Sequence, residues 1–315
     1  MKRHNALIFL QWTIVLMIPA VIVTGCGKKS AAIDITTYKP EIEQWQKTRT
    51  ARLQRPDGWL TLAGLSWLIE GENRVGSDTT NIVQLPRGRA AGYIGSIFEK
   101  GGTFTFRAAR GADVRWKDSL VGEVRLLHDQ DTGDAPTVLK AGSVSFYVIK
   151  RGDQYGVRIK DTNNPARVNF KGLEFFPIDP KWRVDATFEP YNPPKVLQIA
   201  SVIGVTESDT CPGALVFEID GRQCRLDATI EQGSENVLFI MFRDLTAGTE
   251  TYVNGRQLYT ALPDSDHHVI LDFNKAYNWP CVFTDFATCP IPPAQNSLPI
   301  RVEAGEKMYH GHTSD

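Results

Sequence analysis

The sequence predicts an all-β protein, and three observations carry that prediction. From Pro56 onward, short runs rich in Val, Ile, Phe and Thr recur, broken by Gly, Pro, Asn and Asp every ~8–12 residues. No long amphipathic helix interrupts these runs, which argues against βαβ units and for a sandwich or barrel. Asp220-Gly221 and Asn254-Gly255 each stand between two apolar runs, the strongest two-residue hairpin signal.

The N-terminus comes first because it decides the compartment. Lys2 and Arg3 precede an apolar stretch from Ala6 to Val23, dented by Gln11 and followed by Val23-Thr24-Gly25-Cys26. Small residues before a cysteine at that place read as a lipobox, so residues 1–25 are expected to be a lipoprotein signal peptide and Cys26 the lipidated residue. A single transmembrane anchor is the competing reading, since the stretch just reaches the lower limit for spanning. On the lipoprotein reading the protein sits in the cell envelope, held to the membrane through Cys26. In a Gram-negative source that means the outer membrane, facing the periplasm. Residues 26–37 then form a lipid-anchored tether.

Residues 38–55 are expected as a helical lead-in, with Ile42, Trp45 and Leu53 spaced helically among charges, best between Pro40 and Arg55. A first β domain is expected over 56–176 and a second over 177–306, with 307–315 a mobile tail. The boundary is placed by prolines clustered between residues 172 and 195, a density that suits a linker or edge segment. In the second domain, the Asp220-Gly221 turn puts Ile219 opposite Arg222 and Phe217 opposite Cys224. Leu215, Phe217, Cys224 and Leu226 then share one apolar face. Asn236–Arg243 is expected to be a strand, Thr249–Val253 its return, and Arg256–Leu262 and His268–Phe273 the strands that complete an antiparallel meander. A barrel or a sandwich hides such edges equally well.

Residues of the second half, together with Gly58-Trp59-Leu60, Gly71-Glu72-Asn73 and Gly76-Ser77-Asp78, resemble the family called domain of unknown function 1684. The second-half motifs are Glu250-Thr251-Tyr252, Gly255-Arg256, Leu271-Asp272-Phe273-Asn274, Cys281, Cys289-Pro290, Asn296 and Ala304-Gly305-Glu306. The resemblance covers nearly all of the expected mature chain and implies no established activity. The turn Val253-Asn254-Gly255 and Trp279 depart from its pattern. Inside the first domain, Asn73 to Asp78 followed by Asn81-Ile82-Val83 and Leu85-Pro86 resembles the opening of a forkhead-associated (FHA-like) β-sandwich. That resemblance implies a sandwich shape alone. Ser77 stands where a phosphothreonine grip needs Arg, and Ala90-Ala91-Gly92-Tyr93 replaces its Ser/His step, so a dianion lacks its charge-assisted bonds.

Charge excludes one class of function. With 35 basic and 36 acidic residues and a net charge of −1, the chain lacks the broad basic face of a nucleic-acid binder. Cys211, Cys224, Cys281 and Cys289 sit in an expected oxidising compartment. Cys211 lies roughly 20 Å of extended strand from the Phe217–Cys224 pair, which disfavours a bridge between them. Cys281 and Cys289, in a Pro-rich loop, form the plausible disulfide. No metal is expected, because the cysteines lack CxxC spacing and a completing His. His267 and His268 point to opposite faces of a strand, and no nucleophile elbow, zinc helix or phosphate loop is present.

Arg243, Asp244, Tyr252, Arg256, Asp272 and Asn274 remain as candidate ligand-binding residues. Converging in a barrel mouth, they would hold a small anionic ligand or an envelope component, with Asp272 placed to act as a base. A hydrolase-like envelope enzyme using the same cluster is the alternative, and a purely structural scaffold a third. The sequence names no cofactor and no protein partner.

Overall fold

A computed structural model describes residues 33–131, 135–231 and 233–311. The expected signal peptide, Cys26 and most of the expected tether lie outside the described residues. Among the described residues no helix is long and apolar enough to cross a membrane.

The lead-in is an α-helix over Ile35–Leu53. It starts three residues before the expected boundary because Asp34 caps it, its carboxylate accepting from Thr36 N at 2.9 Å. Tyr38, Ile42 and Leu53 are its buried residues. The chain then doubles back at Gly58, where a Cβ would lie 2.4 Å from the Leu53 carbonyl oxygen. Only glycine permits that approach. It delivers Trp59 into a short 3-10 turn, Trp59–Thr61, directly before the first strand.

The prediction of an all-β fold holds. The first half stacks two sheets, antiparallel except for one parallel edge pair, Gly71–Gly76 with Val83–Gln84. One has the strand order Leu62–Trp67, Gln154–Asp161, Val144–Arg151, Leu139–Ala141, Arg115–Trp116, Ser119–Leu120. The other is built on Gly71–Gly76, Gly95–Lys100, Thr103–Ala108 and Glu123–Leu126, with Val83–Gln84 at its edge. Alternation assigns the faces. Val144, Phe146, Val148, Val157 and Ile159 enter a core with Val75, Ile97, Phe104 and Phe106. The same period of two places Ser145, Tyr147, Arg158 and Lys160 on the opposite face.

The second half is a curled half-barrel of antiparallel strands. Arg183–Ala200 pairs with Thr206–Ile219 and with His268–Asp272; Thr206–Ile219 pairs with Arg222–Ala228. Ile219 stands opposite Arg222 and Phe217 opposite Cys224, the register that the Asp220-Gly221 turn predicts. A second sheet pairs Val237–Phe242 with Arg256–Ala261 and the short Tyr277–Asn278. A Thr229–Phe239 bridge joins the sheets at one seam, and Thr260 Oγ1 donates to the Ile270 carbonyl at 2.5 Å across the other. The enclosed space is filled by Phe188, Leu215, Phe217, Leu226, Leu238, Phe242, Leu258, Leu271 and Phe273 among others.

Three local expectations are replaced. Thr249–Val253 is turn and coil rather than a returning strand. Its Glu250 and Thr251 amides bond to the Thr246 carbonyl, while Thr246 Oγ1 bonds to Asp244 and Thr251. Local side-chain bonds of this kind compete with a ladder, and Arg256–Ala261 takes the partner's place. The proline cluster reaches into the strand Arg183–Ala200, whose register breaks between Pro190 and Lys195, as prolines without an N–H require. Beyond the break, Lys195–Ala200 and Thr206–Cys211 continue as a projecting ribbon, tied down by a Ser201–Pro290 bridge. The start of the expected tail is also docked: Lys307 N bonds to Glu174 O, and Tyr309 packs on Phe170 and Phe283.

Asn296 staples the barrel seam. Its Oδ1 accepts from Asp227 N, and its Nδ2 donates to the carbonyls of Asp227 and Met241, each at 2.8 Å. Asn296→Ala leaves these buried groups unpaired and is expected to cost about 2–4 kcal/mol, read from the urea midpoint at constant m-value.

Candidate functional site

The six candidates are distributed over three separate networks. Arg256, fully buried, donates from Nη2 to Asp244 Oδ1 at 3.2 Å and to Val302 O at 2.8 Å. From Nη1 it donates to Ala304 O and, at 3.4 Å, to Glu306 O. Asp244 also accepts from Val302 N at 2.7 Å. Asp272 accepts from Tyr38 Oη at 2.9 Å and Asn274 N at 3.1 Å, and Asn274 Nδ2 donates to Tyr38 Oη at 2.9 Å and to Asp179 O. Burial raises the Asp272 carboxyl above the ordinary carboxylate range, and burial together with Asp272 raises the Tyr38 phenol. Arg243 Nη2 reaches Asn254 Oδ1 at 2.9 Å, and Asn254 Nδ2 in turn donates to Tyr252 Oη at 3.3 Å. Among the described residues no hydrogen bond or ion pair links one side-chain group to another, and the barrel interior where they were to meet is packed with apolar side chains.

Cys281 and Cys289 are joined in a disulfide with Cα atoms 6.3 Å apart. Cys211 and Cys224 are free and buried, and burial pushes the Cys211 thiol up to about 11. Among the described residues, no group of three or more His, Cys, Asp or Glu is placed to hold a metal.

A cleft of about 900 Å³ lies elsewhere, between the outer face of the first sandwich, the helix end, the projecting ribbon and the disulfide loop. Arg49, Arg52, Arg55, Arg151 and Arg158 line it, with Asp57, Asp129, Glu207, Asp209 and Glu231. Three of these arginines are matched by carboxylates. Arg49 Nε pairs with Glu306 at 2.6 Å, Arg55 with Asp57 at 2.9 Å, and Arg151 with Asp129 at 2.8 Å. Arg52 is exposed.

Arg158 is different. It is 4% exposed and has no carboxylate within 4.0 Å among the described residues. Its guanidinium lies over the Trp59 ring at 5.3 Å, and Nη2 donates to Thr288 Oγ1 at 3.2 Å. Arg151 Nε donates to the same hydroxyl at 3.0 Å, so two guanidinium groups converge on one neutral oxygen. Nearby Lys160 donates to Asp57 O, and burial first, then the charge of Arg158, lowers its pKa. Among the described residues, three that line the cleft carry buried polar atoms without a partner: Arg158 Nε, Trp279 Nε1 and Asn278 Oδ1. A buried cation and orphaned donors cost several kcal/mol in an empty site. The arrangement can offset that cost by taking an anion.

Sequence reasoning missed Arg158. Its one signal is the alternation of Gln154–Asp161, which places Arg158 on the face away from the core. Burial of that face comes from Trp59 and Thr288, remote in sequence.

Residues 168–307 match the profile of a family described as a protein of unknown function (DUF1684). The match is narrower than the resemblance described above, since the motifs from Gly58 to Asp78 fall outside it. An uncharacterized protein of Haloarcula marismortui, determined by solution NMR, is 34% identical; the alignment covers 46% of this chain and 81% of that one, with a TM-score of 0.38. No curated protein matches.

Two outcomes follow from this geometry. Arg256→Ala strands the Asp244 carboxylate and three carbonyls, and is expected to lower stability by about 3–5 kcal/mol in urea denaturation. Asp209 is pushed above the ordinary carboxylate range by burial and by neighbouring Glu207. Its protonated form is favoured by folding, so that contribution is present at low pH and lost as pH rises through its folded value. Asp209→Asn therefore raises the midpoint at pH 7, and the gain shrinks as pH falls towards about 4; an equal gain at both values would exclude this cause.

Proposed function

We propose that this chain, a member of the DUF1684 family through residues 168–307, is a cell-envelope lipoprotein that binds a small anionic ligand in the cleft around Arg158. One observation carries the binding reading: an arginine, Arg158, only 4% exposed, lining a cleft, with no carboxylate to pair with among the described residues. A buried charge left unpaired is costly to a protein that never fills the site. Arg151, Lys160 and Thr288 add donors beside it. The ligand is thus assigned to Arg158 and its neighbours rather than to Arg243, Asp244, Tyr252, Arg256, Asp272 and Asn274, whose polar atoms largely satisfy one another.

Location rests on Lys2-Arg3, the apolar stretch and Cys26, and a disulfide between Cys281 and Cys289 suits an oxidising compartment. The hydrolase alternative draws less support: among the described residues no histidine lines the cleft, and the Ser201 hydroxyl donates to Val205 O at 2.9 Å. A pure scaffold gains nothing from an unpaired Arg158. In the first sandwich the forkhead-associated likeness is carried as shape only. Ser77 Oγ donates to the Ala90 carbonyl at 2.8 Å, and Arg74 stacks on Tyr93 at 4.3 Å.

Arg158→Met tests the reading. Without added anion its urea midpoint is expected to equal or exceed that of the parent chain. With inorganic phosphate or acetate titrated to saturation the parent gains stability, by about 2.7 kcal/mol at a hundredfold excess over Kd, and the variant does not. Equal gains in both proteins remove Arg158 from the site. For the anchor, labelled palmitate is expected in the parent chain and absent from Cys26→Ala; an unlabelled parent chain overturns the lipoprotein assignment.

A further inference from the structure

The cleft holds unpaired charge of both signs. On the wall formed by the projecting ribbon, Glu207 and Asp209 are alternate residues of the strand Thr206–Ile219 and so share a face. Both line the cleft. Asp209 has no hydrogen-bond donor and no cation within ion-pair distance among the described residues, and it is half-buried beside the like charge of Glu207. Glu207 accepts a single long bond, 3.4 Å, from Gly152 N. On the other wall stands Arg158, equally without a counter-charge, 4% exposed. Among the described residues no ion pair within 4.0 Å joins the two walls. Trp279 Nε1 and Asn278 Oδ1, a buried donor and a buried acceptor without partners, belong to residues that also line this space.

We infer that the ligand is a zwitterion, its anionic group held by Arg158 with Arg151 and Thr288, and its ammonium held by Glu207 and Asp209. This rests on the anion-binding reading above and adds the second pole. An anion alone leaves the carboxylate pair uncompensated, and a cation alone leaves Arg158 so. A molecule carrying both groups gives each wall a counter-charge without bringing net charge of its own, which lowers the cost of taking charged groups out of water. A cleft of about 900 Å³ has room for a body of several heavy atoms between the two groups. Two sources share this chemistry: amino acids and short peptides with free termini, and aminoalkyl phosphates of the kind found in lipid headgroups.

Isothermal titration of the full chain with four probes separates the possibilities: trialanine, N-acetyl-trialanine, trialanine amide and glycerophosphoethanolamine. Trialanine or glycerophosphoethanolamine is expected to bind, and whichever binds more tightly identifies the source. If trialanine binds, acetylating its amine weakens binding at least tenfold. Asp209→Asn, on the ribbon and away from both cores, reduces affinity for the preferred zwitterion about tenfold and leaves N-acetyl-trialanine unchanged. Arg158→Met abolishes both. If trialanine binds and N-acetyl-trialanine binds as well, or Asp209→Asn changes nothing, the zwitterion is overturned and the anion site stands. If trialanine binds and its amide binds as well, or no probe binds at millimolar concentration, the anion site falls as well.

Discussion

The guanidinium of Arg256 grips the carbonyls of Val302, Ala304 and Glu306 while Asp244 supplies its counter-charge, and much of the cleft depends on that grip. Burial works against the charge and Asp244 opposes the loss, so the pair keeps its value only while both members stay. With residues 302–306 held, the Glu306 carboxylate is fixed in the interior. One oxygen takes Arg49 Nε from the helix and the other takes Asn278 N at 2.9 Å. Arg49 then lies over the Tyr277 ring at 4.6 Å. One buried arginine thereby fixes the angle of the helix, the start of the Asn278-Trp279 segment and a shared edge of the cleft.

Gly305 shows how little slack this arrangement has. It adopts φ +72°, and a Cβ there would stand 2.3 Å from the Ala276 carbonyl oxygen. The Ala304-Gly305-Glu306 motif is therefore a steric requirement followed by an electrostatic one. Much of the family pattern reads the same way: Asn296 at the barrel seam, Asp272 and Asn274 under Tyr38, Gly255 against the Phe242 carbonyl. These residues are polar because they satisfy backbone and one another.

What the sequence disclosed follows the range of the forces involved. Hairpin turns and strand alternation are local, so the Asp220-Gly221 register and the all-β class could be read directly. A helix start depends on one cap, and Asp34 moved it by one turn. The fate of Thr249–Val253 was hidden because Thr246 and Asp244 satisfy that backbone through side chains. The cleft was least legible. Its arginines are separated by about a hundred residues, and nothing near Arg158 in sequence announces that Trp59 and Thr288 will cover it. Polar residues clustered along connected hairpins suggested a site, yet proximity along the chain there reflected shared structural duty.

The origin of the cleft's charges bears on how the protein is divided. All five arginines that line it, Arg49, Arg52, Arg55, Arg151 and Arg158, lie before residue 168, whereas Glu207, Asp209, Glu231, Trp279 and Thr288 lie within the family segment. The cleft is thus a joint property of two stretches of chain, one bringing the cations and the other much of the acidic and aromatic wall. Residues 168–307 cut out and carried onto another protein would take the barrel and its clamp with them, but they would present an acidic surface with no basic counterpart. The cleft is not a transferable module; it exists only where the two stretches meet.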